Sequence, residues 1–431
     1  MKKTLFNASL VLLSCLSIIS FSSCEKEEKI EPIKSNPPEI SSVVPKNTIT
    51  EELMNHSLKI GTDFLVNNQN SSGSFNYEYN WKRKNLSRED NQVRQAGALW
   101  GLSLTYLYNQ SEDVQKAIEK AIAFFFKNSK LTSNATGRYI VYPEDSSGKT
   151  GTGAIVALGY IEYLRVAKPY LKPKEYDTHM THLKQYLKHL STLVDSTSLF
   201  YSNYTFVDGT GYGKSSPYSD GEALLAFIKA EKYLNITEYR DITLKGIDSG
   251  YQNHIVEALK KDPDSNTTKG FYQWSSMCFY ELATSGWKDT EKYGQYPIDL
   301  ANWMIDVHRT LYRTRNTAYA YEGIIHAYEL ARMKDDRINA QKFLKVINKG
   351  MYKLTSWQVG STVPCRYIRR GYKTYDKLAH GGVQNHRKED GLRIDVTQHQ
   401  MHAVNLALKF VFGAYNKPET PVTDTIETTI Q

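Results

Sequence analysis

One repeated pattern limits what this chain can fold into: a helical segment, a loop and a second helical segment return about six times along 431 residues. Units of this kind bury their apolar faces only against neighbouring units, so the repeat sets the architecture before any single residue does. Apolar positions spaced by three and four predict first helices at 52–68, 113–128, 177–194, 240–260, 294–310 and 337–357. Their partners are expected near 92–108, 151–167, 219–234, 271–284, 317–333 and 396–412. The partners share a texture, seen in "RQAGALWGLSLTYLY", "TGAIVALGYIEYL" and "AYEGIIHAYELA": rich in Ala, Gly and Leu, and apolar almost all the way round. A helix with so little polar surface must be enclosed by other helices.

The links alternate. Those within a pair are mostly long, whereas those between pairs are mostly short, as helix-to-helix connections in compact domains usually are. In an antiparallel array this alternation gathers the long links at one end. The expected fold is therefore all-α, with six hairpins that each contribute one enclosed and one outer helix to a closed double ring. In this arrangement residues 50–415 or so resemble the six-hairpin, (α/α)6-toroid superfamily of glycosidases and polysaccharide lyases. Terpenoid-cyclase-like toroids share the architecture, and no motif selects one glycosidase or lyase family. The resemblance implies a carbohydrate-active enzyme, in domain 51–415, with its cleft at the end where the long links meet.

Those links read "SSGSFNYEYNWKRKNLSREDNQ", "GRYIVYPEDSSGKTG", "FYSNYTFVDGTGYGKSSPYSDGE", "DSNTTKGFYQW", "YRTRNTAYAY" and "RYIRRGYKTYDKLAHGGVQNHRKEDGLRIDV". Each contains Tyr or Trp, in a chain with 31 tyrosines. Sugar rings offer flat C–H faces to aromatic rings and hydroxyls to polar side chains, so this mixture suits a poly- or oligosaccharide. Candidate sugar-binding residues are Tyr79, Trp81, Arg94, Tyr142, Tyr212, Tyr272, Trp274, Arg313, Arg315, Tyr319 and Arg393.

Glycoside hydrolysis usually needs two carboxyl groups flanking the scissile bond, one protonated and one ionised. Asp220, Glu322 and Asp395 are the leading candidates, with Glu222 fourth. Simpler roles compete. Ser219 and Glu222 have capping-box spacing, Asp220 suits the first turn of a helix, and Asp395 could cap with Gln398 returning. Glu322 differs, because it lies more than a turn past the expected cap Asn316 and shares a stripe with His326 and Glu329. A carboxylate enclosed there needs a partner, for which Arg313 or Arg315 is available. Elimination or epimerisation on a uronic acid is the alternative chemistry, with Tyr218, Tyr319 or His399 as base and Arg313 or Arg393 beside the sugar carboxylate. The formal charge of +8 and the run Arg366, Arg369, Arg370, Lys373, Lys377, Arg387 and Lys388 would attract an acidic polymer, although such a run is more often a solvated surface. A non-catalytic glycan-binding protein is the third possibility.

No cofactor is implied, since neither a phosphate-cradling Gly loop nor a dinucleotide fingerprint occurs in a strand-to-helix setting. His399 and His402 share a helix face, but no third and fourth ligands complete a metal site, and His402 is expected to be a packed core histidine. Nucleic acid is not expected as a partner. The N-terminus, "MKKTLFNASLVLLSCLSIISFSSC", has the basic start and apolar run of a secretory signal. Its "SFSSC" resembles a bacterial lipobox, which implies a signal peptide at 1–23, lipidation of Cys24, a polar tether at 24–50 and a lipid anchor in the outer membrane, on its periplasmic or cell-surface side. Residues 416–431 are expected to form a flexible tail. Cys278 and Cys365 remain in the domain, and the sequence leaves their pairing open, with a buried thiol expected at Cys278.

Overall fold

The computed structural model describes residues 47–143 and 147–416. The signal, the lipidation expected at Cys24, most of the tether and residues 417–431 lie outside the described residues. Six helical pairs follow one another: α1 (Glu51–Asn67) with α2 (Gln92–Tyr106), α3 (Glu112–Lys127) with α4 (Thr150–Ala167), and α5 (Pro173–Thr192) with α6 (Pro217–Leu234). The fourth first-helix is α7 (Arg240–Gly250), continued by a π-helical stretch at Tyr251–Val256 and by α8 (Glu257–Lys261); its partner is α9 (Asn266–Ala283). Then come α10 (Tyr296–Asp306) with α11 (Ala318–Met333) and α12 (Arg337–Thr355) with α14 (Ile394–Phe410); a short helix, α13 (Arg366–Gly371), lies in the last long link.

Several starts are fixed by local chemistry. Thr50, Asn91, Ser111 and Asp336 each accept a hydrogen bond from the backbone N–H three residues on, and Ser265 accepts from Thr267 and Thr268. The α6 helix ends at Asn235, whose φ of 57° places it in the left-handed region common just past helix ends.

Burial separates the two sets. On α3 the buried residues are Val114, Ala117, Ile118, Ala121, Ile122, Phe124 and Phe125, a single stripe, whereas α4 is buried from Thr150 through Leu164 without a break. The enclosed helices pack in the order α2, α4, α6, α9, α11, α14, and α14 returns to α2, which closes the ring. Outside it, α1 bridges α14 and α2, α3 bridges α2 and α4, α5 bridges α4 and α6, α10 bridges α9 and α11, and α12 bridges α11 and α14. The fold is an all-α (α/α)6 toroid. No helix among the described residues is long and apolar enough to cross a membrane.

Short antiparallel strands tie the long links together. The strands β1 (Glu78–Asn80), β2 (Asn85–Leu86) and β8 (Gly391–Arg393) form one sheet, with Glu78 opposite Arg393, so the first and last links are joined where the ring closes. Links two and three are joined by β5 (Ser147–Lys149), β6 (Asn203–Thr205) and β7 (Gly211–Tyr212), while β3 (Ser129–Leu131) pairs with β4 (Arg138–Ile140). A second latch at the closure is Gln358, which accepts from Ser57 Oγ at 2.6 Å and donates to the Ser57 carbonyl at 3.0 Å. The fourth link corrects the sequence expectation. "DSNTTKGFYQW" is not a long loop, because Ser265 caps α9 at Asn266 and leaves only residues 262–265 between the helices. Cys278 is buried and Cys365 half-buried, and both are free thiols.

Trp100 on α2 and Trp274 on α9 belong to opposite sides of the ring, yet their rings stack across the bore at 5.4 Å and 27°. Both are nearly fully buried. Trp274→Ala should therefore leave an unfilled bore and cost about 3–5 kcal/mol, measured as a shift in the urea unfolding midpoint with secondary structure retained; a shift below about 1 kcal/mol would show that the plug is dispensable.

Candidate active site

The enclosed helices all begin at the end where the long links gather, and there the starts of α6, α9, α11 and α14 enclose a cavity of about 230 Å³. Its walls come from Tyr218 at the start of α6, Lys269 and Gln273 on α9, Asn316 and Tyr319 around the start of α11, Asn385 in the last link, and Arg393, Asp395, Val396 and His399 at the start of α14. The volume lies below the roughly 300–1,000 Å³ of pockets for drug-sized ligands, which leaves space for about one sugar ring.

Beneath the cavity lies Glu322, with no exposed surface. Its Oε1 is 2.9 Å from His399 Nδ1, and its Oε2 accepts from Gln273 Nε2 at 2.7 Å. His402 Nδ1 is 3.4 Å from Oε2, without hydrogen-bond geometry, and its ring meets the face of Trp100 edge-on at 5.0 Å. Burial alone would raise the Glu322 carboxyl, but the facing His399 and His402 hold it below its usual range. Burial likewise works against a charged His399, yet Glu322, followed by Asp395 and Glu222, raises its pKa above 6.5. With Nδ1 engaged by Glu322, the other ring nitrogen of His399 is left for the cavity.

Asp395 lies on one wall. Arg393 chelates it through Nε at 3.0 Å and NH2 at 2.6 Å, and Arg94 Nε approaches at 3.1 Å. Burial would raise this carboxyl, but Arg393, then Arg94 and His399, hold it ionised. Glu222 shows the opposite balance. It is 5% exposed and makes no hydrogen bond to any described residue, and burial pushes its pKa up to about 8 against the opposing pull of His399. Its carboxyl rests on Gly151 in the first turn of α4, where any Cβ would overlap an Oε atom.

Local capping does not account for these carboxylates. The α6 helix starts at Pro217 after Ser216, Ser219 Oγ donates to the Ser216 carbonyl at 3.3 Å, and the Ser219–Glu222 capping box does not form. Asp395 is the second residue of α14 and not its cap, and the expected return by Gln398 is likewise absent, its Nε2 being buried without a partner. Asn316 is not the cap either: Thr317 holds that position without a side-chain hydrogen bond, and Asn316, one residue earlier, accepts from Ala318 N at 2.8 Å.

The sequence candidates divide accordingly. Tyr218, Tyr319, Arg393, Asp395 and His399 line the cavity, with Arg94, Glu222 and Glu322 around it. Asp220 turns to the outer layer, where Oδ1 accepts from Phe200 N at 2.9 Å and Oδ2 is 2.7 Å from His254. Tyr79 bonds Asp376 at 2.7 Å, Trp81 packs edge-on against Tyr367 and Tyr372, and Tyr142 packs on Phe124 of α3. Tyr272 is wholly buried and donates to the Ala320 carbonyl at 3.1 Å, Trp274 is half of the plug, and Tyr212 is exposed at the end of β7. Arg313 pairs with Asp264 at 2.9 Å and Arg315 is exposed beside His386, so neither is the partner of Glu322. His402 is a core histidine as expected, but it faces a carboxylate as well as a tryptophan. Gln273, Lys269 and Asn385 were not singled out from the sequence; the i+4 step from Lys269 to Gln273 on α9 was the available signal.

No family model matches the chain, and no curated protein matches it at a significant level. Among solved structures it is similar to a sugar epimerase from a ruminal bacterium, with TM-score 0.59, 12% identity, and coverage of 83% of this chain and 99% of the other. It is also similar to a GH76 α-mannanase from Bacteroides thetaiotaomicron, with TM-score 0.57, 13% identity, and coverage of 86% and 98%. An unsaturated glucuronyl hydrolase specific for heparin gives TM-score 0.54, 12% identity, and coverage of 84% and 99%. At these identities the likeness is one of fold.

An unfolded glutamic acid ionises near 4.5, whereas Glu222 in the folded protein keeps its proton to about 8. Between those values the folded state binds more protons than the unfolded state, so this group's stabilising contribution declines as pH rises from 4.5 to 8 and is flat outside that window. Glu222→Gln should remove that slope from the urea midpoint measured between about pH 5 and pH 8.5; an unchanged profile would mean that Glu222 titrates normally.

Proposed function

We propose that this protein is a carbohydrate-active enzyme, a glycoside hydrolase whose reaction takes place in the cavity at the helix starts. One observation carries this: a carboxylic acid kept neutral by burial, Glu222, and carboxylates kept ionised by their partners, Asp395 and Glu322, all act on the charge of one cavity-lining residue, His399. Environments that push titratable groups apart in this way separate acid from base. Glu222 is the proton donor to the departing oxygen, and Asp395 is the anion that faces the positive charge developing on the sugar. His399, held by Glu322, is the charge that both of them feel, and it passes protons at its free ring nitrogen. Tyr218 and Tyr319 supply ring faces for the sugar, and Lys269, Asn316 and Gln273 supply donors. Sugars and glycans are named for the three similar structures, which agrees with this assignment.

A second reaction, epimerisation or elimination, is favoured by one feature, the free nitrogen of His399 in the same cavity as the Arg393 guanidinium. The two chemistries leave different isotopic marks. With a panel of neutral and acidic glycans in D2(18)O, hydrolysis places 18O at a new reducing end, whereas epimerisation places solvent deuterium on carbon and elimination yields an unsaturated, ultraviolet-absorbing uronide. Glu222→Gln and Asp395→Asn should each lower kcat by roughly 10²–10⁴ with the fold intact. Full activity in both variants, or carbon-bound deuterium without 18O, would overturn the hydrolase assignment.

We also propose that the enzyme works outside the cytoplasm, held by lipid on Cys24, because a basic start and an apolar run precede that residue. Labelled palmitate should enter the protein and be lost in Cys24→Ala.

A further inference from the structure

The opposite end of the bore holds a second polar cluster that the proposed reaction does not use. Its residues follow from the inward stripe of α14, which continues from His402 to Asn405 and Lys409 at i+3 and i+7 and so carries polar groups to the far mouth. There Lys229 Nζ is 2.6 Å from Glu162 Oε1 and 3.1 Å from Glu281 Oε1, Lys232 is 2.7 Å from Glu281 Oε2, and Arg165 closes on Glu162. The Tyr233 hydroxyl donates to Glu281 at 2.7 Å. Three cations thus engage two buried carboxylates.

Lys409 is a fourth cation and has no carboxylate among the described residues. Its ammonium sits 4.8 Å from the Phe410 ring centre and 5.8 Å from that of Tyr108, and burial, only partly offset by Glu281, lowers its pKa. The C-terminal ends of the enclosed helices meet here and favour cations, which explains why they collect. Those ends do not supply Lys409 with a hydrogen-bonded acceptor. Asn405, 2% exposed, accepts from the Tyr415 hydroxyl at 3.0 Å, while its Nδ2 is buried with no partner. Lys409 and Asn405 line a cavity of about 30 Å³.

A surplus cation and an orphaned N–H donor call for an occupant that accepts only and carries negative charge. The volume holds one or two water-sized particles, which excludes a sugar and fits a monatomic anion. Water would satisfy the Asn405 amide but leave the surplus charge uncompensated. We propose that the far mouth of the bore binds a single halide ion, chloride in ordinary salt solutions, between Lys409 Nζ and Asn405 Nδ2.

The test is thermal unfolding of the full protein at constant ionic strength while sodium gluconate is replaced by sodium chloride or bromide. A site specific to the folded state raises the midpoint with a saturable dependence on halide, by at least about 2 °C. Lys409→Met and Asn405→Asp should remove that dependence. A midpoint indifferent to the anion, or a halide response that persists in Lys409→Met, would overturn the proposal. If Lys409→Met fails to fold, 35Cl line broadening with the unmodified protein decides: broadening that bromide displaces supports the site, and its absence refutes it.

Discussion

Each of the six enclosed helices has almost no face that water can solvate, and the rest of the structure follows from that constraint. The α4 helix is buried on every side from Thr150 through Leu164, so it needs helical neighbours all round. A row would leave its first and last members exposed, whereas a closed ring gives each two neighbours within it and an outer layer behind. Contact of α14 with α2, the β1–β8 pairing and the Ser57–Gln358 latch are where that closure occurs. Because each enclosed helix runs antiparallel to the outer helix that precedes it, all six point the same way. Their starts, with free N–H groups and the positive ends of the helix dipoles, lie at the end that holds the 230 Å³ cavity, and their carbonyl ends lie at the opposite mouth.

This polarity accounts for the distribution of charge along the bore. Near the helix starts the carboxyl groups Glu222, Asp395 and Glu322 outnumber Arg94 and Arg393, and near the helix ends the cations Arg165, Lys229, Lys232 and Lys409 outnumber Glu162 and Glu281. The Trp100–Trp274 stack fills the level between them. Removing charges from water is costly unless they are paired, so both levels are built as networks. Each network leaves one group without an ionic partner, Lys409 below and Glu222 above, and burial answers at Glu222 by keeping it protonated. A group in that state is useless as an ion pair and suited to giving up a proton.

The helices were legible in the sequence because their signal is local. Every one of the twelve long helices begins within about five residues of its expected position, since apolar spacing and caps act over a few turns. The fourth link was misjudged because its tyrosine and tryptophan read as loop decoration when they are core. Tyr272 and Trp274 illustrate the limit: the same ring that suits a sugar cleft also suits a bore, and composition cannot separate the two. Partners across the ring were not legible at all. Arg313 and Arg315 are close to Glu322 in sequence, but the groups that meet it are His399, about eighty positions away, and Gln273, about fifty positions away in the other direction. Such pairings depend on which helices the closed ring makes adjacent, and no pattern within one helix encodes that.

Asp220 and Glu222 show how finely the outcome is divided. They are two residues apart on α6, and at about 100° per residue their side chains leave the helix roughly 200° apart. In the ring one direction is the bore and the other is the outer layer. Asp220 takes the outer direction, meets the Phe200 N–H and His254, and joins the 193–216 link to the π-helical stretch of the outer wall. Glu222 takes the inner direction, where Gly151 leaves space for its carboxyl and His399 is the charge that it feels. Neither closes a cap, because Pro217 starts the helix before Ser219 can. A helix that began three residues later, with Ser219 as its cap, would engage Glu222 at its own N-terminus, so the early start at Pro217 is what releases this carboxyl to the bore.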